Sequence, residues 1–210
     1  MTSKYIFVAG APGSKWSSVV KNIYYSNDID RSDYRDEWTY YHDASGTYEL
    51  MHLGAYFDPG MTTSLPEDLT TLNREQLEAK FAEPFQSKEF TGTRIIKSHV
   101  FANHIDYLRE LFPEVPIVMV YRNDDSCLGW WVKCGHFDIT YPDYHEYFKD
   151  LKNMAKIIRS QNADIKKAWT DHWGVEPKNN KQLSHALNIA LPPVEYWQDY
   201  IRSDIRVKVI

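Results

Sequence analysis

The sequence predicts an α/β fold with three layers, α/β/α, around a central, mostly parallel sheet, and with a helical C-terminal part. A short apolar run at 5–9 is typical of a buried strand, and further strands are predicted at 93–97 and 117–121. Apolar residues at helical spacing lie between these strands and after them. A strand, a crossover helix and a second strand form a βαβ unit, which implies parallel pairing.

The composition fits one domain over residues 1–210 and excludes several functional classes. With 24 Lys+Arg against 29 Asp+Glu, the formal net charge is −5, which argues against broad binding to nucleic acid or anionic membranes. No apolar run approaches the roughly 20 residues needed to cross a bilayer, and the first residues contain no signal-peptide core. We therefore expect a cytoplasmic protein with no nucleic-acid partner and no membrane span; the sequence leaves its oligomeric state open.

The chain opens as a strand, a glycine-containing loop and a helix. The run at 5–9 leads into turn-forming residues at 10–15, and apolar residues from Trp16 to Ile23 then recur on one helical face. From about 27 to 72 the pattern is irregular and rich in tyrosine, which indicates an insertion. Long irregular segments are often binding loops or lids; a surface excursion with some β-hairpin is the alternative.

The remaining elements are predicted from the same spacing rules. Helices are expected over 73–85 and 103–112, and a further helix is expected to start at a cap formed by Asp124 or Asp125. The C-terminal third is expected to be helical over 147–173 and 194–202, with a last strand over 205–210. Three tryptophans at helical spacing are expected to pack in the core: Trp169, Trp173 and Trp197.

The loop after the first strand has the features of a phosphate cradle. Free N–H groups at a helix start and the helix dipole both favour an anion. Gly10 and Gly13 allow close backbone approach, and Lys15 supplies a cation. Hydroxyl groups come from Ser14, Ser17 and Ser18. The strict ATP-binding pattern G-x-x-x-x-G-K-[ST] is not met, because Lys15 stands where that pattern has glycine; a tight turn with incidental serines is the competing interpretation.

The second strand ends in Lys97, Ser98 and His99. Since alternate residues of a strand share a face, Lys97 and His99 are expected to point the same way and Ser98 the other way. In an open parallel sheet, ligands lie beyond the carboxyl ends of the strands, where the first loop also lies. A histidine there is suited to act as a general base; a capping or packing role is the alternative.

The third strand ends at Tyr121, and Arg122 follows it. A guanidinium at this end of the sheet is suited to bidentate capture of a phosphate. The alternative is a salt bridge to Asp124 or Asp125. The strand does not end in aspartate, so the usual Mg²⁺-holding residue of P-loop NTPases is missing at this position.

Together, the three motifs resemble the sulfotransferase family, which transfers a sulfuryl group from 3′-phosphoadenosine 5′-phosphosulfate (PAPS). The family has a strand followed by a Pro-Lys/Arg-Ser-Gly-Thr-Thr loop, here Gly10-Ala11-Pro12-Gly13-Ser14-Lys15-Trp16-Ser17-Ser18. Its second motif is a strand ending in Lys-Thr-His, here Lys97-Ser98-His99, and its third is a strand ending in Arg-Asn, here Arg122-Asn123. The resemblance lies between about 5 and 131 and implies a P-loop NTPase-like fold.

The resemblance also implies the roles of individual residues. His99 is the expected catalytic base, Arg122 is expected to hold the 3′-phosphate of the donor, and Lys15 or Lys97 is expected to offset charge on the leaving phosphate. The residues of the loop expected to contact the cofactor are Pro12, Gly13, Ser14, Lys15, Trp16, Ser17 and Ser18. PAPS is the implied cofactor, adenosine 3′,5′-bisphosphate (PAP) is its product, and no metal is expected.

This chain departs from the family pattern at two of these positions. The lysine of the family loop falls on Gly13, so Lys15 is expected to take over its role. The serine partner of the family's arginine falls on Trp130, so Ser126, one helical turn away, is expected to substitute. Trp130 itself lies where the family places aromatic residues, and is a further candidate for cofactor contact.

The acceptor is expected to be a hydroxyl or amine of a small molecule or glycan. Candidates to line its pocket are Tyr40, Tyr41, Tyr48 and Tyr56. Two other functional classes stay open at this point. One is a P-loop nucleotide or small-molecule kinase, which would bind ATP with Mg²⁺; the other is a non-catalytic nucleotide-binding relative that uses the tyrosine-rich insertion to bind a partner.

Overall fold

Five strands form one sheet at the centre of the fold. A computed structural model describes residues 3–33, 53–58, 64–133, 150–193 and 204–210. The strands are β1 (Tyr5–Gly10), β2 (Ala55–Tyr56), β3 (Arg94–Lys97), β4 (Ile117–Tyr121) and β5 (Arg206–Val209), in the order β2-β3-β1-β4-β5. Neighbours pair in parallel except β5, which runs antiparallel to β4. The predicted α/β fold with a mostly parallel sheet is confirmed.

The described residues also contain six α-helices. They are α1 (Trp16–Tyr24), α2 (Arg74–Ala82), α3 (Ile105–Leu111), α4 (Asp124–Lys133), α5 (Leu151–Asp171) and α6 (Asn180–Leu187). Two short 3-10 helices lie at Leu69–Thr71 and Val100–Asn103. Within these ranges, no helix combines the length and the apolar character needed to cross a membrane.

The central strands are buried on both faces. Every residue of β1 and β3 is buried, and successive side chains of a strand point to opposite faces, so packing elements cover both sides of the sheet. On one face the ring of Phe7 contacts the rings of Phe81, Phe101 and Phe112 at centroid distances of 5.4, 5.4 and 5.2 Å. Covering on both faces is what the predicted layers require.

The segment from 27 to 72 contributes to the sheet rather than only to an insertion. Its described part includes β2, which pairs with β3, and Ile29, which forms a parallel bridge with Thr93. The described part of the predicted insertion thus includes a short strand, which was not predicted because two residues leave no periodic signal in the sequence. Tyr56 lies in β2 and is buried; Tyr40, Tyr41 and Tyr48 lie outside the described residues.

The cap of α4 differs from the predicted one. The side-chain oxygen of Asn123 accepts a hydrogen bond from the backbone N–H of Ser126 at 2.8 Å, which makes Asn123 the N-cap. Asp124 and Asp125 lie inside the first turn of the helix, where their negative charges interact favourably with the helix dipole. The prediction of a helix here is confirmed, but the prediction of its capping residue is wrong.

The C-terminal third is helical over α5 and α6 in its described part. Met154, Ile158 and Ile165 form the buried stripe of α5, as the spacing predicts. The helix ends at Asp171, so Trp173 lies beyond it and is 91% exposed; its predicted place in the core is wrong. Trp169 is partly buried, whereas the predicted helix at 194–202 and its Trp197 lie outside the described residues. The last predicted strand is confirmed as β5.

Candidate active site

The strand order brings the carboxyl ends of β1, β3 and β4 side by side. β1 lies between β3 and β4. After β1 the chain continues to β2 on one side of it, and after β4 it continues to β5 on the other side. In open α/β sheets, ligands bind outside the carboxyl ends of the strands where the direction of the connections reverses. The three predicted motifs therefore share one edge of the sheet.

The loop between β1 and α1 has a backbone that depends on Gly13. Gly13 has a φ of 78°, and a Cβ atom there would collide with the carbonyl oxygen of Cys127 in α4. The loop thus packs directly on the backbone of α4. Lys15 also has a left-handed backbone, with a φ of 60°, and it occupies the N-cap position of α1 without a side-chain cap.

The start of α1 offers hydrogen-bond donors to an anion. The first N–H groups of a helix have no acceptor in a preceding helical turn. That of Ser18 donates to the Lys15 carbonyl oxygen, and among the described residues no side chain caps this helix start. The Ser14 hydroxyl is buried, and within the described part of the chain it has no hydrogen-bond partner. A buried hydroxyl without a partner is costly unless a ligand satisfies it, so both features fit a bound phosphate or sulfate group.

His99 lies at the end of β3, against this loop. Its ring stacks on Trp16 with centroids 4.0 Å apart and an interplanar angle of 9°. Its Nδ1 is 2.5 Å from the carbonyl oxygen of Gly10. Because a carbonyl oxygen only accepts, Nδ1 carries the proton, and Nε2 of the neutral ring keeps its lone pair. Burial lowers the pKa of His99, which favours this neutral form at physiological pH.

Asp58 organises the turn that holds His99, and it was not found from the sequence. Its Oδ1 accepts hydrogen bonds from the backbone N–H of His99 at 2.9 Å and from the Ser98 hydroxyl at 3.1 Å. Its Oδ2 accepts one from the Tyr56 hydroxyl at 2.5 Å and lies 3.8 Å from Nε2 of His99. Nothing in the local sequence marks Asp58, because its role depends on a turn that lies 41 positions later in the chain.

The alternation predicted for Lys97, Ser98 and His99 stops at the end of β3. Lys97 is the last strand residue, and His99 has an αR backbone, so the two-residue period does not extend to His99. Ser98 does not point away, because it binds the same Asp58 carboxylate as His99. Lys97 and His99 nevertheless share two neighbours: the Lys97 Nζ lies 5.9 Å from the Trp16 ring and 5.6 Å from the ring of Tyr56.

Lys97 is enclosed on the side of β2. Its Nζ donates a hydrogen bond to the carbonyl oxygen of Leu53 at 2.6 Å. Burial lowers the pKa of Lys97 to about 7, although the carboxylates of Asp33 and Asp58 act to raise it. Near neutral pH this group is therefore divided between its charged and neutral forms.

Arg122 follows β4 and contacts the loop from the other side. Its Nη1 donates to the carbonyl oxygen of Gly13 at 3.2 Å, and its Nε donates to Asp204 at 2.8 Å. The alternative of a salt bridge to Asp124 or Asp125 is wrong among the described residues, because the ion pair is formed with Asp204, 82 positions further along the chain.

The other predicted cofactor contacts lie around the same loop. The side chain of Ser126 acts to lower the pKa of Asp204, and the Lys15 Nζ lies 4.1 Å from the centroid of the Trp130 ring. Pro12 is buried within the loop, and Trp16 is buried beneath His99. Ser17 and Ser18 are half-buried in the first turn of α1.

This edge of the sheet therefore combines a neutral imidazole, a helix start without a side-chain cap among the described residues and a guanidinium, all around one loop. Such a set can bind a phosphorylated ligand and accept a proton close to it. Comparison of the chain with protein-family models, with curated proteins and with solved structures finds no match.

Proposed function

We propose that the chain is a sulfotransferase that moves a sulfuryl group from PAPS to an acceptor hydroxyl or amine, with His99 as the general base. The observation that carries this proposal is that one loop contacts both strand-end groups. The Gly10 carbonyl binds the His99 ring, and the Gly13 carbonyl binds Arg122. The strand order around β1, with this loop leading into α1, supports a P-loop NTPase-like sheet.

The residues around the loop fit a donor with two phosphate-type groups. The buried Ser14 hydroxyl and the uncapped start of α1 are suited to hold the 5′-phosphosulfate. Arg122, which already binds a carboxylate, and Ser126, which acts to lower the pKa of that carboxylate, are suited to hold the 3′-phosphate. The ring of Trp130, beside Lys15, offers a flat surface next to the loop. PAPS, when bound, supplies the sulfuryl group and is released as PAP.

His99 accepts the proton of the acceptor in this proposal. Its Nδ1–H is fixed by Gly10, so the proton is taken up at Nε2. Asp58 Oδ2, 3.8 Å away, stabilises the positive charge that the ring then carries. The low pKa that burial gives His99 keeps the ring ready to accept a proton at neutral pH.

Lys15 is the better placed of the two lysines to offset negative charge on the leaving phosphate. Lys15 occupies the N-cap position of α1, at the helix end where the dipole favours an anion. The Lys97 ammonium group is held by the Leu53 carbonyl and has a pKa of about 7. At that position Lys97 lies beside the rings of Trp16 and Tyr56, which also contact His99.

The test is PAP release from PAPS in the presence of a panel of phenols, sugars and amines. We expect His99→Ala to reduce transfer by about 10²–10⁴-fold, the usual contribution of general base catalysis, and to leave PAP affinity nearly unchanged. His185→Ala, at an exposed position of α6, is the matched control and should change neither. If His99→Ala reduces PAP affinity as much as transfer, the histidine is structural and the proposed role fails.

A kinase and a non-catalytic binder give different results in the same experiments. A P-loop kinase binds ATP with Mg²⁺ more tightly than PAP and releases no PAP from PAPS. A non-catalytic relative binds PAP but shows no transfer to any member of the panel.

A further inference from the structure

Two donors converge on a single carboxylate at the end of β4. Arg122 Nε donates to Oδ1 of Asp204 at 2.8 Å, and Asn123 Nδ2 donates to Oδ2 at 2.7 Å. The Ser126 side chain also acts to lower the pKa of this carboxylate. A guanidinium and a carboxamide around one anionic group, with the Ser126 side chain beside them, form an anion site whose present occupant belongs to the chain itself.

The antiparallel direction of β5 puts the carboxylate there. Tyr121, the last residue of β4, pairs with Arg206, the first residue of β5. Because the strands run in opposite directions, Asp204 lies beyond the carboxyl end of β4, opposite Asn123. That position is also the N-terminus of the ten-residue helix α4, where the helix dipole adds to the attraction for an anion.

The contact is accessible and charged. The Asp204 side chain is 33% exposed, and that of Arg122 is 13% exposed. Partial burial acts to raise the pKa of Asp204, but the effects of Ser126 and Arg122 outweigh it and hold the pKa below its usual range. Asp204 is therefore a carboxylate at neutral pH, and an ion pair at this exposure exchanges its partners at modest cost.

We infer that Arg122, Asn123 and Ser126 form a site for a phosphate monoester, and that the Asp204 carboxylate occupies this site as an internal competitor which the ligand displaces. The inference rests on the proposed function for the identity of the ligand, the 3′-phosphate of the donor. It goes beyond that function by adding Asn123 as a third ligand of the phosphate and Asp204 as the group that closes the site.

A phosphate group has the advantage in this competition. It carries up to two negative charges and three acceptor oxygens, whereas the carboxylate carries one charge and two oxygens. While Asp204 occupies the site, the apparent affinity for the ligand is reduced by the fraction of molecules in which the site is closed. Removing the carboxylate should therefore strengthen binding of every ligand that uses this site, and of no other ligand.

The test compares the wild-type chain with Asp204→Asn and Asp204→Ala by isothermal titration calorimetry. The ligands are PAP, AMP and inorganic phosphate. We expect both variants to bind PAP and phosphate at least about fivefold more tightly, corresponding to about 1 kcal/mol, with AMP affinity unchanged. The matched control is Asp171→Asn, which removes an exposed carboxylate of α5 paired with Lys167 and should change none of the three affinities. Unchanged or weaker binding of PAP and phosphate by the folded Asp204 variants overturns the inference.

A measurement on the wild-type chain keeps the inference testable if the variants fold poorly. The ¹³C resonance of the Asp204 carboxyl group should shift when inorganic phosphate or PAP is added, because the group leaves its two donors. A resonance that stays in place at saturating PAP contradicts displacement.

The ligand set separates this inference from the proposed function. If the Asp204 variants bind phosphate more tightly but PAP is not preferred over AMP, the anion site stands and the sulfotransferase assignment falls. If the wild-type chain prefers PAP over AMP and the Asp204 variants bind PAP and phosphate no more tightly, the sulfotransferase assignment stands and the displacement of Asp204 is ruled out.

Discussion

The ends of β3 and β4, on either side of β1, differ in the burial and the charge of their ionisable groups. At the end of β3, His99 and Asp58 are buried among aromatic rings, and burial lowers the pKa values of both His99 and Lys97. At the end of β4, Arg122 and Asp204 are partly exposed and form a charged pair. One edge of the sheet thus holds a neutral imidazole and a charged ion pair on the two sides of a single loop.

The difference follows from solvation. A buried group loses the favourable hydration of its charged form, so its pKa moves toward the neutral form unless partners compensate. A partly exposed group keeps most of that hydration, and its ion pair is weakened by solvent and salt. We therefore expect substitutions at the β3 end to act mainly on stability and proton transfer, and substitutions at the β4 end to act mainly on ligand binding.

The largest effect on stability is expected for Asp58→Ala. The substitution leaves three buried donors, the Ser98 hydroxyl, the His99 N–H and the Tyr56 hydroxyl, without their acceptor. Each buried donor left unsatisfied costs about 1–3 kcal/mol, so the free energy of unfolding should fall by about 3–5 kcal/mol. Urea unfolding measures this change, with Asp171→Ala as an exposed control that should change little. A loss as small as that of the control would mean that the cluster around Asp58 is not a buried, connected unit.

A smaller, pH-dependent effect is expected for Lys97→Met. The pKa of Lys97 is about 7 in the folded chain and 10.5 when unperturbed. Between these values the unfolded chain binds more protons, so the contribution of Lys97 to stability rises with pH through this window and is lost as pH falls to 7. From pH 7 to pH 9 the wild-type chain should gain about 2 kcal/mol relative to Lys97→Met, at 1.36 kcal/mol per unit. A constant difference between the two unfolding free energies over this range would show that Lys97 titrates normally.

The smallest effect on stability is expected for Arg122→Met. Its ion pair with Asp204 is partly exposed, and such pairs contribute about 0–1 kcal/mol. Thermal unfolding at low and high salt measures the loss, which should shrink as salt screens the pair. A loss comparable to that of Asp58→Ala would remove the contrast between the two strand ends.

The sequence was sufficient where burial leaves a continuous signal. The strands at 5–9 and 117–121 are covered by packing elements, so their residues are apolar. The glycine loop was recognisable because Gly13 is required both by its φ and by its contact with α4. From these features the α/β fold, the loop and the positions of His99 and Arg122 followed.

The rest depends on contacts between distant parts of the chain. β2 has two residues, too few for a period, and Asp58 acquires its role by meeting the turn at His99, 41 positions later. Asp204 meets Arg122 only because β5 pairs antiparallel with β4. Local propensity contains no information on these two long-range contacts, so the positions of Asp58 and Asp204 could not be predicted from the sequence.

The most direct test of the central claim is the affinity of the wild-type chain for PAP, AMP and ATP–Mg²⁺, measured by isothermal titration calorimetry beside Arg122→Met. We expect PAP to bind most tightly, and we expect Arg122→Met to weaken PAP binding by about 10–100-fold, since hydrogen bonds to charged groups contribute about 1.5–3 kcal/mol. AMP binding should change little. Equal affinity for PAP and AMP, or tighter binding of ATP–Mg²⁺, would contradict a donor site built for a 3′-phosphate.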